Sequence, residues 1–486
     1  MLALLRGPEA TLNTFRRIVH RDVLADAVTP IGAYLAIVRA RKGPAMLFES
    51  ALGAGVGARR SLIGVGARGE VRVFDGEVST AIDGGELRAT GASPLDACRS
   101  VLESLSPAAD DIRRSPFFGL FGAAAHEFSG YLERLPHLPR AHDPMPDLHL
   151  VVPETLVVFD HFTHRATITT LAAEDGTSRD DADIVAALTA APFIAYAGSD
   201  LQPPRELAAT SDGPGAARFC ANVAAAKAAI YDGEVFQVVL SQGRTVESDA
   251  DPFDVYRALR SINPSPYMFF IDLGWGQLLG SSPELLAKLE GRRAIVRPLA
   301  GTRARSDDPE TDRKRAAALR RDPKERAEHT MLVDLGRNDV GRVCTPGSVC
   351  VDEFMDVERF SHVMHLASEV SGELKPELDA FDLMAAAFPA GTVSGAPKVR
   401  ALELIAQLEG TRRGFYAGAV LRFGFDGSLD SCITLRSMHA YGGAFHLRAG
   451  AGIVEASDPE GEDRECRAKL GATLAALAMA AGGLPA

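Results

Sequence analysis

Short apolar runs alternate with polar, Gly- and Pro-rich connections through the first part of the chain. Ala45-Met46-Leu47-Phe48 and Val71 to Phe74 are strand-like, so the region from Thr29 to about Tyr196 predicts an α+β unit. Phe219 to Tyr231 and Pro252 to Ile262 instead carry apolar residues at helical spacing and predict amphipathic helices. The runs Met268 to Leu273, Gln277 to Gly280, Leu285 to Leu289 and Ala294 to Leu299 are separated by short turns and predict successive antiparallel hairpins. From Asp308 to Asp334 a long charged helix is expected, which Pro323 either breaks or restarts. Helices follow at Ala380 to Ala387 and Pro397 to Leu408, the latter with Pro in its first turn. Strands are expected at Gly418 to Gly424, Ser431 to His439 and Ala444 to Ala449, and Glu460 to Ala481 closes the chain as a helix. No internal repeat is present.

Between Gly198 and Ala216 the sequence is polar, Pro/Gly-rich and without apolar periodicity. It predicts a linker dividing an N-terminal α+β region, 1–200, from a second region, 215–486. With 46% apolar and 24% charged residues in 486, the chain has the balance of a folded, water-soluble protein rather than a disordered one. Acidic residues outnumber basic ones 64 to 52, a net charge of −12, which argues against sequence-independent binding to nucleic acid or anionic lipid. An anionic small substrate would then need a local basic pocket. Met1 to Gly7 is too short an apolar run for a signal peptide, and no stretch approaches ~18 apolar residues, so no membrane contact and a cytoplasmic location are expected. Cys98, Cys220, Cys344, Cys350, Cys432 and Cys466 are scattered without CxxC spacing, which disfavours a zinc site or a disulfide framework.

Candidate chemistry concentrates in the second half. Glu325 and Glu328 lie three apart on one expected helix, and Glu462, Glu465 and Lys469 follow at spacings of three and four on another, so each set shares a helix face. Such pairs are commonly solvated helix charge. Carboxylates from two helices, with water and substrate oxygens completing the shell, are also what octahedral magnesium accepts. Arg436, expected on a strand, offers a bidentate fork, and the glycines of Gly450-Ala451-Gly452 let backbone amides come close to a ligand. Alone, a strand arginine is usually a surface ion-pair partner and glycines usually serve turns.

What gives these residues weight is a set of ordered motifs: PLAGTRAR (Pro298 to Arg305), KERAEHTMLVDLGRNDVGRV (Lys324 to Val343), FSHVMH (Phe360 to His365), GTVSGAPKVRA (Gly391 to Ala401) and AGAGIV (Ala449 to Val454). From about Phe219 to Lys469 the chain resembles the chorismate-utilising enzymes, and among them the large subunits of anthranilate synthases. The resemblance implies an α/β (α+β) fold of packed antiparallel sheets flanked by helices, and an Mg2+-dependent amination of chorismate with elimination of pyruvate. It implies Glu328 and Glu465 as magnesium ligands, and Gly301, Thr302, Tyr416, Arg436, Gly450, Ala451, Gly452 and Lys469 as the chorismate-binding set. It points to Glu284, in GSSPELL, and to His365 and Thr392 as catalytic; His365 as a buried, hydrogen-bonded core histidine is the alternative. Lys398, in GAPK, is either a helix-start cation or a substrate contact.

Position 300 separates the relatives. Sequences resembling aminodeoxychorismate, isochorismate and salicylate synthases carry lysine there, as nucleophile or activator of water, whereas Ala300 leaves room for ammonia. LFES (Leu47 to Ser50) resembles an LLES element that, with NPSPYMF (Asn263 to Phe269), forms a tryptophan-binding inhibitory pocket in anthranilate synthases. Glu49, Ser50, Pro266, Tyr267 and Met268 would line it, the alternative being plain core packing around Phe48. Leu421-Arg422, where relatives often show Gly-Tyr, is a departure. No Cys-His-Glu amidotransferase signature is visible, so ammonia comes either free or from a partner glutamine amidotransferase subunit, as a heterodimer or a dimer of heterodimers. The competing readings are an aminodeoxyisochorismate or aminodeoxychorismate synthase, and a non-catalytic tryptophan-binding paralogue.

Overall fold

The structure is a computed structural model that describes residues 16–50, 59–135, 139, 145–173, 181–191, 215–359 and 363–482. The expected linker falls almost wholly outside them, and its last residues open the helix Gly215–Tyr231. No helix among the described residues is long and apolar enough to cross a membrane.

Two large antiparallel sheets dominate. The first has eleven strands, in the spatial order Ile18–Leu24, Arg165–Leu171, Thr155–Asp160, Arg60–Val65, Ala45–Glu49, Tyr267–Asp272, Gln277–Ser282, Ser437–Tyr441, Ala444–Ile453, Gln237–Glu247 and Gly395–Ala396. The second runs Leu299–Ala304, Val363–Glu373, Arg293–Val296, Leu285–Glu290, Leu429–Ile433, Ala419–Gly424, Gly119–Ala124, Leu148–Val152, Gly69–Phe74, Glu77–Ile82 and Arg88–Thr90, with Cys350–Arg359 also paired to Val363–Glu373. Each sheet joins early and late segments at one seam. Ala45–Glu49 pairs with Tyr267–Asp272 in the first, and Gly119–Ala124 with Ala419–Gly424 in the second. Residues 1–200 and 215–486 thus share both sheets.

The seam strand explains its own sequence. Met46 packs into the cluster shared by the two sheets while Ala45 and Leu47 pack under the outer helices, so both faces are buried and the run is continuously apolar. Phe48 stacks on Phe121 of the other sheet at 5.6 Å. The helices Pro30–Ala40, Ala182–Thr189, Pro252–Ile262 and Pro459–Ala481 cover the outer face of the first sheet, and Pro94–Ser104, Pro323–Val343 and Ala380–Ala387 pack on the second.

Helix starts follow capping chemistry. Asp251, Asp322 and Asp458 each accept a backbone N–H of the first turn, with Pro next in sequence where its missing N–H costs nothing. Pro323 accordingly opens a second helix instead of kinking one long one.

Two expected strands are divided. Ala294 to Leu299 is interrupted at Arg297-Pro298, where proline has no N–H for the ladder. Ser431 to His439 becomes Leu429–Ile433 in the second sheet and Ser437–Tyr441 in the first. The chain crosses between sheets there, and Arg436 lies in the crossover with φ of 47°, not on a strand as expected. The strands Gln277–Ser282 and Leu285–Glu290 make the same passage at Pro283-Glu284. The two crossovers lie side by side: Ser281 N–H donates to Arg436 O at 3.2 Å, Ile433 N–H to Glu284 O at 3.1 Å, and Ser282 Oγ to Ile433 O at 2.6 Å.

Trp275 is the single tryptophan of the chain. It is buried, and its indole N–H donates to Nδ1 of His149, on the other sheet, at 2.8 Å. Its fluorescence therefore reports the inter-sheet contact. Leu47→Ala, at a fully buried seam position, should cost about 2–5 kcal/mol. In denaturant, Trp275 fluorescence and far-UV circular dichroism should move together in one transition, shifted equally by the substitution. Separate transitions would show that the sheets unfold independently.

Candidate active site

The gap where the sheets part holds a cavity of about 200 Å³. It is lined by Glu284, Ala300, Gly301, His365, Thr392, Tyr416, Arg436, Gly450, Gly452, Glu328, Glu465 and Lys469, and its lining runs from Gln237 to Thr473, so residues up to 236 positions apart in sequence meet in one place. The two crossovers supply Glu284 and Arg436. The strand Leu299–Ala304 supplies Ala300 and Gly301, Val363–Glu373 supplies His365, and Ala444–Ile453 supplies the glycines. The helices Pro323–Val343 and Pro459–Ala481 supply the carboxylates.

One wall is set up for proton transfer. Glu284 is buried and accepts a hydrogen bond from Thr392 Oγ1 at 2.7 Å. Burial pushes its carboxyl up to about 7, against the opposing pull of Thr392, the Leu299 N–H, Lys469 and Arg436. A carboxylic acid that is half protonated near neutrality can give a proton to a leaving group. His365 moves the other way, down to about 4, through burial and the neighbouring Arg436 and Lys469 charges. Its Nδ1 lies 3.0 Å from Gly301 O, which requires the proton on Nδ1 and makes Nε2 the lone-pair nitrogen. The imidazole is thus a neutral potential base. Arg436 lines the same cavity as Tyr416, and the charge acting on its guanidinium is the Glu284 carboxylate.

The other wall is acidic. Glu328 accepts from Gln237 Nε2 at 3.1 Å, and its carboxyl is raised by burial and then by the neighbouring Glu325, with Glu465 adding to it. Glu465 and Lys469 are paired at 2.8 Å and about half exposed, so this end faces solvent. Hard carboxylate oxygens on two helices, incompletely neutralised, fit Mg2+ held largely by water and ligand oxygens. Among the described residues no three His, Cys, Asp or Glu side chains form a ready-made cage.

Strand alternation sorts the glycine motif. Gly450 and Gly452 face the cavity while Ala451 is fully buried in the core behind it. A Cβ at Gly450 would lie 2.7 Å from both Leu240 O and Tyr416 Oη, and one at Gly452 would lie 2.5 Å from Gln237 Nε2. Lys469 Nζ donates to Gly450 O at 2.8 Å. Thr302 pairs with His365 through the backbone, but its side chain lies outside the described residues. Lys398 does not reach the cavity; it is buried against Asp339. Sequence reasoning missed Gln237, which carries no charge and no spacing signal. It also missed Arg448, which lines the cavity and joins the buried Arg413 in pairing with the buried Glu409.

A second cavity of about 530 Å³ lies behind the crossover. Phe48, Glu49, Ser50, Pro266 and Tyr267 line it, together with Leu421 and Arg422, so the departure noted in the sequence falls here. Met268 does not; it is buried on the opposite face of its strand. The Glu49 carboxylate is already engaged by Tyr256 Oη at 2.8 Å and Arg260 Nε at 2.9 Å. Pro283 and Leu299 line both cavities.

Residues 44–475 match the model of the chorismate binding enzyme family. The chain is 42% identical to anthranilate synthase component 1 of Streptomyces coelicolor, covering 95% of this chain and 89% of that one. It is 40% identical to the component 1 of Thermus thermophilus, covering 96% and 98%. The crystal structure of anthranilate synthase component I from Streptococcus pneumoniae superposes with a TM-score of 0.73 at 34% identity, covering 87% of this chain and 94% of that one.

The crowding at Gly452 gives a test independent of activity. Gly452→Ala should lower the melting temperature by an amount corresponding to about 1–3 kcal/mol, because the added methyl meets the buried Gln237 carboxamide. Gln237→Ala in the same chain should recover most of it. No recovery in the double variant would place the conflict elsewhere.

Proposed function

The chain belongs to the chorismate binding enzymes, as an anthranilate synthase component 1 and so a chorismate-utilising lyase, and from that premise we propose that its cavity aminates chorismate with ammonia and expels pyruvate to give anthranilate. The observation that carries this reading is the buried Glu284 acid beside Thr392, facing the same cavity as a neutral histidine, a guanidinium and an open acidic wall.

In this reading Arg436 and Tyr416 hold one substrate carboxylate, and the close approach at Gly450 and Gly452 brings backbone to the ligand. Ammonia forms the new C–N bond at the ring while the ring hydroxyl departs as water, taking the proton that Glu284 holds. His365 Nε2 then takes the ring proton as the enolpyruvyl C–O bond breaks and the ring becomes aromatic; the departing enolate takes up a proton to become pyruvate, and the new ring ammonium gives one up to leave the amine. Ala300 contributes no nucleophile at the position where lysine-bearing relatives would have one, and leaves volume for ammonia. Glu328 and Glu465 would hold Mg2+, which would neutralise the second carboxylate of the substrate. Ammonia comes from glutamine through a separate amidotransferase subunit, as the component 1 role implies. The cavity around Ser50 and Tyr267 takes tryptophan as inhibitor.

Purified chain with ammonium, magnesium and chorismate should form anthranilate and pyruvate in equal amounts. A product that keeps the enolpyruvyl group, detected by mass, would instead identify an aminodeoxyisochorismate or aminodeoxychorismate synthase.

With free ammonia held constant, the rate should fall about tenfold per pH unit above 7, because the reactive form is protonated Glu284, whose carboxyl titrates at about 7. Glu284→Gln should lose about 10²-fold or more in kcat and with it this inflection. A wild-type profile in that variant would remove Glu284 from the chemistry. Ser50→Phe should fill the second cavity, leave kcat with ammonium near wild type, and raise the tryptophan concentration needed for half-inhibition at least about tenfold. Unchanged inhibition would assign tryptophan to another site.

A further inference from the structure

Thr392 lies midway along residues 388–397, which link the helix Ala380–Ala387 to the helix Lys398–Glu409. Both ends of that segment are gripped by one ammonium. Lys398 Nζ, at the start of the second helix, lies 3.3 Å from Ala387 O and 3.5 Å from Ala386 O, at the end of the first. It also donates to the Asp339 carboxylate at 2.9 Å. Asp339 lies on the helix Pro323–Val343, about three turns beyond Glu328. The segment rests closely on that helix, since a Cβ at Gly391 would run into Leu335. A space of about 30 Å³ between them is lined by Glu284, Thr392 and Asp339.

Both side chains of the ion pair are only 8% exposed. Taking two charges out of water costs several kcal/mol, and an apolar pair would join the helices as firmly. What an apolar pair lacks is direction. An ammonium that must satisfy a carboxylate and two carbonyls together fixes the distance and angle between three elements.

We propose that Asp339 and Lys398 are positioning residues for the proton donor: they set Thr392 against Glu284 and hold that wall in register with the carboxylate wall on the same helix. The proposal rests on the reading of Glu284 as the acid. Arg436, Lys469 and His365, the other groups facing Glu284, are untouched by changes at the pair.

The test uses the full chain with ammonium, chorismate and magnesium. Asp339→Asn with Lys398→Met removes both charges together, so no lone buried charge is left to unfold the protein. Its kcat should fall at least about tenfold while KM for chorismate stays within about threefold, because a misplaced group costs rate without costing binding. The pH inflection of kcat should rise, since Thr392 no longer favours the Glu284 carboxylate. Gly391→Ala, which pushes the same segment off Leu335 without touching the ion pair, should give the same kcat-specific loss, and decides the matter if the double variant does not fold. A folded variant with kcat within twofold of wild type and an unmoved inflection overturns the proposal and leaves the pair a staple for stability. Glu284→Gln runs alongside. If it is inactive while these variants are normal, only the positioning role falls; if it is fully active, the reading of Glu284 falls with it.

Discussion

The site depends on two neighbouring chain segments leaving one sheet and entering the other side by side. Pro283-Glu284 and Leu435-Arg436 are held by backbone bonds from Ser281 to Arg436 and from Ile433 to Glu284, so neither crossover can shift without the other. The ladder cannot continue through the break, because the strands on either side belong to different sheets. The backbone there satisfies itself across the crossovers, and the Glu284 and Arg436 side chains line the opening between sheets. Arg436 adopts a positive φ in a bend whose carbonyl accepts from the Ser281 N–H, an uncommon conformation for a residue with a Cβ.

From this frame the electrostatics follow. Burial moves a carboxylic acid and an imidazole in opposite senses, since each resists becoming charged in a poor solvent. Glu284 is brought up to neutrality and His365 taken well below it by the same cause. A protonated donor and an unprotonated acceptor thus coexist within one cavity, although in water their preferences would be reversed. At the acidic end burial raises the Glu328 carboxyl in the same way, while Glu465 and Lys469 remain about half in solvent.

Much of this was legible in the sequence, and the residues that were not share a reason. Helix starts were readable because capping is local: Asp251-Pro252 and Asp322-Pro323 announce themselves within a few residues. The seam strand was readable because a run buried on both faces stays apolar throughout. The passage at Thr434 to Arg436 was not, because its only local trace is the pair of adjacent polar residues Arg436-Ser437, which shifts the alternation by one residue without recording a change of partner. Glu284, Arg436 and Glu328 were found through motif resemblance, whereas Gln237 and the partnership of Lys398 with Asp339 depend on contacts between segments 91 and 59 residues apart. Met268 and Ala451 show the limit of transferring whole motifs. Side-chain alternation turns every second residue of a strand away from the surface its neighbours form.

Pro283 and Leu299 separate the smaller cavity from the larger one behind it, and each is followed in sequence by a residue lining the smaller one, Glu284 and Ala300. A partition one side chain thick has a thermodynamic corollary. Any occupant of the rear cavity that displaces this wall changes the free energy of binding at the front, and the influence must run equally in the other direction. Occupation of the front would then loosen or tighten the rear by the same factor, so the two cavities would be coupled through a shared surface without sharing a ligand.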